Sequence, residues 1–178
     1  VPVVAGVIRN STRAAVHGAL RAKKAGVDAL MVTPVHYHVN KPSASGNVDF
    51  YRRIGDAAEL PIIVYNVVPS NTITPEVMDE LLAIPQVVAI KQSVVGMSAL
   101  AQMVAAHGDR LLISSAVDDL LYPTYMIGAR GSIVAPSAVV PELLVEQWQA
   151  FRKGDHETAL RIHDRLMYVY RALQGENF

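Results

Sequence analysis

A lysine ends an apolar run in the middle of the sequence. Residues 87–90 are four small or β-branched residues, and Lys91 follows them directly. Such a run predicts a strand buried in a parallel sheet, where an unpaired ammonium group is costly and gives up its proton more readily. A neutral amine can attack a ketone and form a Schiff base. The strand alone is equally compatible with a lysine that reaches solvent or pairs with a carboxylate.

A tyrosine holds the equivalent place in the preceding apolar run. Tyr65 stands four residues after Pro61, as Lys91 stands four residues after Val87. Neighbouring strands lie ~4.8 Å apart, so we expect the phenol and the amine in one layer and on one side of the sheet. A phenol beside a lysine can relay protons to and from a carbinolamine. Tyr65 alone also fits a core tyrosine whose hydroxyl is satisfied at the rim of the sheet.

The elements that must position these residues form a repeat of strand and helix, with a spacing of roughly 20–30 residues that is typical of βα units. We predict strands at 3–7, 29–34, 61–66, 87–91, 111–115 and 131–135. The repeat predicts an α/β fold with a parallel sheet, either a doubly wound open sheet or a (β/α)8 barrel. The length of 178 residues favours the open sheet. The absence of a glycine-rich phosphate-binding motif after any strand counts against it.

The composition excludes several classes of function. Sixteen basic and sixteen acidic residues give a net charge of zero, with no basic stripe for nucleic acid or an anionic membrane. The chain has no cysteine, which excludes disulfides and thiolate nucleophiles and is compatible with a reducing compartment. No apolar run approaches the ~20 residues that span a bilayer. We therefore expect a cytoplasmic protein that acts on a small molecule, without nucleic-acid or membrane partners.

Two histidines in one loop raise the question of a metal. In extended chain, His36 and His38 present both imidazoles to one side, and Asp118 with Asp119 could complete a ligand set. Loop histidines are more often exposed or hydrogen-bonded, so we assign no metal. The remaining histidines are expected on helix surfaces, at positions 17, 107, 156 and 163.

Motifs along nearly the whole chain resemble those of one known family. They are Val32-Thr33-Pro34, Tyr65-Asn66 followed by Pro69, Ala89-Ile90-Lys91, Leu112 to Ser115, and Ile127 to Ile133. The family is that of dihydrodipicolinate synthase and N-acetylneuraminate lyase. The resemblance implies a (β/α)8 TIM barrel whose sixth-strand lysine forms a Schiff base with pyruvate or another 2-oxo acid, while a fifth-strand tyrosine relays the proton. The matching positions are Lys91 and Tyr65.

The resemblance also assigns each strand a place in the barrel. If the Lys91 strand is the sixth, the strand at 3–7 is the third and the strand at 131–135 is the eighth. The first two βα units, and with them the family's G-x-[ST]-G-E loop that holds the substrate carboxylate, would then lie outside this chain. We expect a fragment in which 1–140 form a partial barrel with strands three to eight. Residues 141–178 would supply helix eight and the start of a C-terminal helical extension.

Three departures from the synthase pattern bear on the substrate. Ser70 or Asn71 stands where synthases carry an arginine that binds the carboxylate of aspartate semialdehyde. His36 and Tyr37 follow Thr-Pro-Val in place of the family's Tyr-Tyr, and Gln92 follows the lysine in place of an acid. These differences favour a lyase, aldolase or dehydratase of sugar-derived or other 2-oxo acids over dihydrodipicolinate synthase proper, the enzyme of lysine biosynthesis.

The predicted site has two catalytic residues, Lys91 and Tyr65, and needs no cofactor beyond the covalent Schiff base. The predicted substrate contacts are Thr33, His36, Tyr37, Asn71, Ser115 and Ile133. The resemblance implies a homo-oligomer, either a dimer or a tetramer. Two other interpretations stay open, namely a metal-dependent aldolase that uses His36 and His38 and a non-catalytic barrel that binds sugar acids.

Overall fold

The structure, a computed structural model, describes residues 1–37, 42–94 and 96–175, which group into two compact units. The first unit holds the described part of 1–94 together with Asp109–Leu112. The second holds the described part of 95–108 and of 113–178. Both Tyr65 and Lys91 belong to the first unit.

The first unit is built on a parallel sheet. Its strands are β1 (Val4–Val7), β2 (Ala29–Val32), β3 (Ile62–Asn66) and β4 (Val87–Gln92). They pair side by side in chain order, β1 with β2, β2 with β3 and β3 with β4, and every pairing is parallel. The parallel sheet predicted from the strand–helix repeat is thereby confirmed for these four strands.

Helices follow the strands of this unit, and side-chain caps set where they begin. They are α1 (Thr12–Lys24), α2 (Ala44–Ala58) and α3 (Pro75–Leu81), and a 3₁₀ turn at Pro69–Asn71 precedes α3. Ser11, Ser43 and Thr74 each accept a hydrogen bond from a backbone N–H three residues further on. A cap of this kind contributes about 1 kcal/mol to helix stability.

The two faces of the sheet differ in burial. Alternate residues on one face are completely buried, namely Leu30, Val32, Ile62, Val64 and Ile90. On the other face, Met31, Ile63, Tyr65 and Lys91 are half-buried, while Ala89 is buried. The expectation that these strands are buried on both faces is therefore met in full on one face only. The second face is the one that carries the predicted chemistry.

The second unit consists mainly of helices. It contains most of β5 (Leu112–Ser115), then α5 (Leu121–Ile127), α6 (Pro141–Arg152) and α7 (His156–Gln174), and it also holds α4 (Met97–His107). Tyr125 lies edge-on to Trp148, with ring centroids 4.9 Å apart. Asp155 caps α7 by accepting from the Thr158 N–H.

The strand predicted at 131–135 is wrong. Among the described residues, it is reduced to one parallel bridge between Ser132 and Ser115. The pairing itself is short: the Gly131 carbonyl accepts from the Ser115 N–H, and the Ile133 N–H donates to the Ser115 carbonyl, each at 2.9 Å. A 3₁₀ turn at Ala135–Ala138 then ends the extended segment, with Pro136, which lacks an N–H, inside it.

His107 is likewise not on the surface, as the sequence predicts, but only 1% exposed. It continues a helical stripe of buried residues on α4 with Leu100 and Met103. The spacing of three and four residues places all three on one face of the helix.

Candidate functional site

Three side chains form a row across the carboxyl ends of neighbouring strands. Val32 pairs with Val64, and Val64 pairs with Ile90. Thr33, Tyr65 and Lys91 each come directly after one of these three residues. Tyr65 and Lys91 are themselves a pair in the ladder, so the predicted neighbourhood of phenol and amine is confirmed.

A β-bulge sets this row. Ile62 pairs with Val87, whereas Ile63 pairs with Ala89, which leaves Val88 as one extra residue on β4. Without the extra residue, continuous pairing from Val87 would put Lys91 opposite Asn66. The count of four residues from Pro61 and from Val87 ignores the bulge. It still pairs Tyr65 with Lys91, because β3 begins one residue after Pro61 and this offset equals the one extra residue on β4.

The amine of Lys91 lies over the aromatic ring of Tyr65. Its Nζ is 4.1 Å from the ring centroid, a cation–π contact of about 1 kcal/mol at a partly exposed position. The contact holds a flexible side chain in one place at the edge where parallel α/β folds carry their active sites. A primary amine and a phenol thereby stand side by side.

Thr33 completes the row with an unused hydroxyl. Its side chain is 2% exposed, and its Oγ1 has no hydrogen-bond partner among the described residues. The end of β2 just before it is held by Tyr51, whose hydroxyl donates to the Val32 carbonyl at 3.0 Å. Burial raises the pKa of Tyr51 well above its ordinary value, which keeps this donor protonated. A buried hydroxyl without a partner costs free energy, and a substrate oxygen could relieve that cost.

Two carboxamides tie the ends of β3 and β4 together. Asn66 donates to Gln92 Oε1 at 3.0 Å and to the Ile73 carbonyl at 2.9 Å, and its Oδ1 accepts from the Ile73 N–H. Asn66 and Gln92 are completely or almost completely buried. Gln92, a departure from the family pattern in the sequence, is thus a neutral partner of Asn66 next to the lysine.

The loop after β2 is anchored to the loop after β1. His36 and Tyr37 donate their backbone N–H groups to Asn10 Oδ1, each at 3.0 Å. The two side chains are exposed. Asn10 is not among the residues predicted for the site, and the cap of α1 is its neighbour Ser11. The sequence feature that marks Asn10 is its position at the start of a polar triplet, Asn10-Ser11-Thr12.

Asn71, a predicted substrate contact, instead uses its side chain for hydrogen bonds within the protein. Its carboxamide bonds to both polar atoms of Asn47, at 2.9 and 3.1 Å, and donates to the Val35 carbonyl at 3.0 Å. The residue is 2% exposed. Its polar atoms hold the loop after β2 against α2 and the 3₁₀ turn. We therefore leave Asn71 out of the proposed substrate contacts.

The Asn71→Ala variant should lose about 2–3 kcal/mol of unfolding free energy, because the Val35 carbonyl and the Asn47 amide lose buried partners. The measurement is urea unfolding, with Ser70→Ala as the control, since Ser70 is exposed. A loss no larger than that of the control would contradict this role.

The two remaining predicted contacts lie in the second unit. Ser115 is completely buried, and its carbonyl accepts from the Ile133 N–H at 2.9 Å. Ser115 Oγ accepts from the Val117 N–H at 3.3 Å. The structure brings these two residues together at the bridge with Ser132.

The metal interpretation depends on two histidines. His38 lies outside the described residues, and His36 Nε2 is within 3.1 Å of the Asn10 amide. Across the described ranges, no three His, Asp or Glu side chains are grouped so that they could hold a metal ion. No helix there is both long and apolar enough to cross a membrane.

The fold is that of a partial (β/α) barrel. The chain superimposes on dihydrodipicolinate synthase from Aquifex aeolicus with a TM-score of 0.90 at 31% identity, covering 99% of this chain and 61% of that one. A dihydrodipicolinate synthase variant described as monomeric gives a TM-score of 0.92 at 26% identity, covering 99% and 60%.

The sequence comparisons agree with the structure. Residues 1–178 match the profile of the dihydrodipicolinate synthetase family, and the chain therefore belongs to that family. It is 37% identical to 4-hydroxy-tetrahydrodipicolinate synthase from Bradyrhizobium diazoefficiens, over 97% of this chain and 58% of the relative. The same enzyme from Archaeoglobus fulgidus is 34% identical, over 97% and 60%. The chain thus spans about three fifths of the length of these curated relatives.

Proposed function

We propose that the protein is a Schiff-base-forming lyase or synthase that acts on pyruvate or another 2-oxo acid. The observation that carries the proposal is the Lys91 amine lying 4.1 Å from the centre of the Tyr65 ring at the carboxyl edge of the sheet. Family membership supports it, because the relatives named above are synthases. The reaction is an aldol cleavage or condensation, or a dehydration.

The first half of the proposed mechanism forms the imine. The neutral Lys91 amine adds its lone pair to C2 of the 2-oxo acid. Tyr65 passes a proton from the nitrogen to the former carbonyl oxygen, which gives a neutral carbinolamine. Tyr65 then donates its own proton to that hydroxyl, which leaves as water. The nitrogen keeps its hydrogen, so the product is the protonated imine, and Tyr65 is left as a phenolate.

The second half uses the protonated imine as an electron sink. Cleavage of the bond between C3 and C4, or removal of a proton from C3, leaves an electron pair that the iminium stabilises as an enamine. In the cleavage direction, the hydroxyl at C4 gives up its proton as it becomes a carbonyl. The Tyr65 phenolate receives that proton. The Thr33 hydroxyl, which has no partner among the described residues, forms a hydrogen bond with the substrate.

Dihydrodipicolinate synthesis itself is the second candidate, favoured by the names of the relatives. It requires recognition of a second carboxylate, for which synthases use an arginine. Here Ser70 and Asn71 stand in that region, and Asn71 is buried by its contacts with Asn47 and Val35. We therefore place a sugar-derived or other 2-oxo acid first.

The surrounding assignments are proposals of the same kind. We propose that 1–140 supply barrel strands and helices, and that 141–178 supply helix eight and the start of a C-terminal extension. The proposed protein is a cytoplasmic homo-oligomer whose partner is a small 2-oxo acid. Size measurement in solution tests the oligomer, and one solved relative is described as a monomeric variant.

Reductive trapping tests the proposed function. The protein is incubated with pyruvate and sodium borohydride, digested, and analysed by mass spectrometry. We expect the reduced pyruvyl adduct on the peptide that contains Lys91, because borohydride reduces an imine to a stable amine. A parallel reaction with a known Schiff-base aldolase controls the chemistry. If that control is labelled and Lys91 is not, the proposed function is wrong, and saturable binding without an adduct would indicate a non-catalytic barrel.

A further inference from the structure

The carboxamide of Asn10 has a fixed orientation. Its Oδ1 accepts two backbone N–H groups, those of His36 and Tyr37, each at 3.0 Å. Exchange of the oxygen and nitrogen positions would place an NH₂ group against two N–H donors. The oxygen must therefore face the loop backbone, and the Nδ2 group must face the His36 ring, from whose Nε2 it is 3.1 Å away.

This orientation determines which ring nitrogen of His36 carries the proton. An amide NH₂ group can only donate, so His36 Nε2 must be the acceptor. A histidine that accepts at Nε2 is neutral and carries its proton on Nδ1. Nowhere in 1–37, 42–94 or 96–175 does a side chain or backbone group accept that Nδ1 proton, and the residue is exposed.

The imidazole belongs to the same edge of the sheet as the catalytic pair. His36 follows Thr33 by three residues, a span of at most ~10 Å of extended chain. Val35, between them, is tied through its carbonyl to the buried amide of Asn71. The backbone that carries His36 is thus held on both sides, by Asn10 and by Asn71.

We propose that Asn10 is a positioning residue that fixes His36 as the Nδ1–H tautomer, and that this N–H donates to a substrate oxygen beyond the 2-oxo acid group. The substrate class is then a 2-oxo acid with a hydroxyl or carbonyl further along its chain. The identity of the ligand rests on the proposed function, whereas the tautomer does not.

The tautomer is tested by NMR of protein labelled with ¹⁵N in its histidines, using two-bond ring correlations. The His36 signals are assigned by their disappearance in the His36→Gln variant. We expect the Nδ1–H pattern in the unmodified protein. In Asn10→Asp, the carboxylate still accepts both backbone N–H groups but offers no donor, so the ring should change to the Nε2–H tautomer or the imidazolium. An Nε2–H pattern in the unmodified protein, or no change in Asn10→Asp, would overturn the assignment.

The role in binding is tested with two probes, pyruvate and a 4-hydroxy-2-oxo acid, by borohydride trapping over a range of concentrations. Asn10→Asp should raise the half-saturating concentration of the hydroxy acid roughly three- to tenfold, the effect of one hydrogen bond. That of pyruvate should not change. His17→Gln, on an exposed position of α1, is the control.

The outcomes separate the two proposals. Equal effects of Asn10→Asp on both probes would indicate general loosening of the loop and would overturn the role in binding. No trapping of either probe in the unmodified protein would contradict the proposed function, while the NMR result would still decide the tautomer.

Discussion

In the Lys91→Cys variant, we expect no borohydride-reducible adduct with pyruvate and a fall of roughly 10⁴-fold or more in the turnover of any 2-oxo acid substrate. The reason is that the amine is the nucleophile of the proposed mechanism, and a thiol cannot form an imine. The measurements are adduct mass and steady-state turnover at matched protein concentration.

The composition of the chain permits a direct rescue of this variant. The sequence contains no cysteine, so bromoethylamine would alkylate only the introduced thiol and return a primary amine at nearly the original position. We expect both trapping and turnover to recover in part. Lys24→Cys, on the exposed end of α1, controls for alkylation and should trap pyruvate on Lys91 throughout. Full activity in the unalkylated Lys91→Cys variant would exclude the proposed nucleophile.

The Tyr65→Phe variant should separate the two functions of the tyrosine. The phenylalanine ring keeps an aromatic face for the Lys91 amine, which in the unmodified protein lies 4.1 Å from the Tyr65 ring centroid. The hydroxyl that relays protons in the proposed mechanism is removed. We expect turnover to fall by roughly 10²- to 10⁴-fold, the usual contribution of general acid–base catalysis. The final yield of trapped imine should be close to that of the unmodified protein, although it forms more slowly.

The matched variant is Tyr65→Leu, which removes both the hydroxyl and the aromatic face. It should lower the yield of trapped imine as well as the rate, because the amine loses its contact. The measurements are the time course and the end point of trapping for the two variants. Unchanged turnover in Tyr65→Phe would show that another group carries the proton.

The strands and the polar residues at their ends could be predicted because they depend on local sequence. Continuous apolar runs that end in Thr33, Tyr65 or Lys91 indicate both a buried strand and a polar edge. The β-bulge at Val88 could not be predicted, since nothing in the residue types around it marks which residue is left unpaired. Tyr65 and Lys91 are neighbours as predicted, although the residue count used for that prediction did not include the bulge.

The hydrogen bonds that hold the loops could not be predicted from the sequence, for a different reason. Asn10 contacts residues 26 and 27 positions away, and Asn71 contacts residues 24 and 36 positions away. Such pairs depend on how the strands are arranged, which a single sequence does not specify. The strand predicted at 131–135 failed because its backbone pairs only as far as Ile133, and a 3₁₀ turn begins at Ala135.

The order of the strands has a consequence for how the protein is made. Each strand from β2 to β4 pairs with the strand that precedes it in the chain, so each pairing closes a short loop as soon as its second strand has been synthesised. The row of Thr33, Tyr65 and Lys91 can thus be completed from one side to the other during translation. Lys91 joins the row last, once β2 and β3 are already in place.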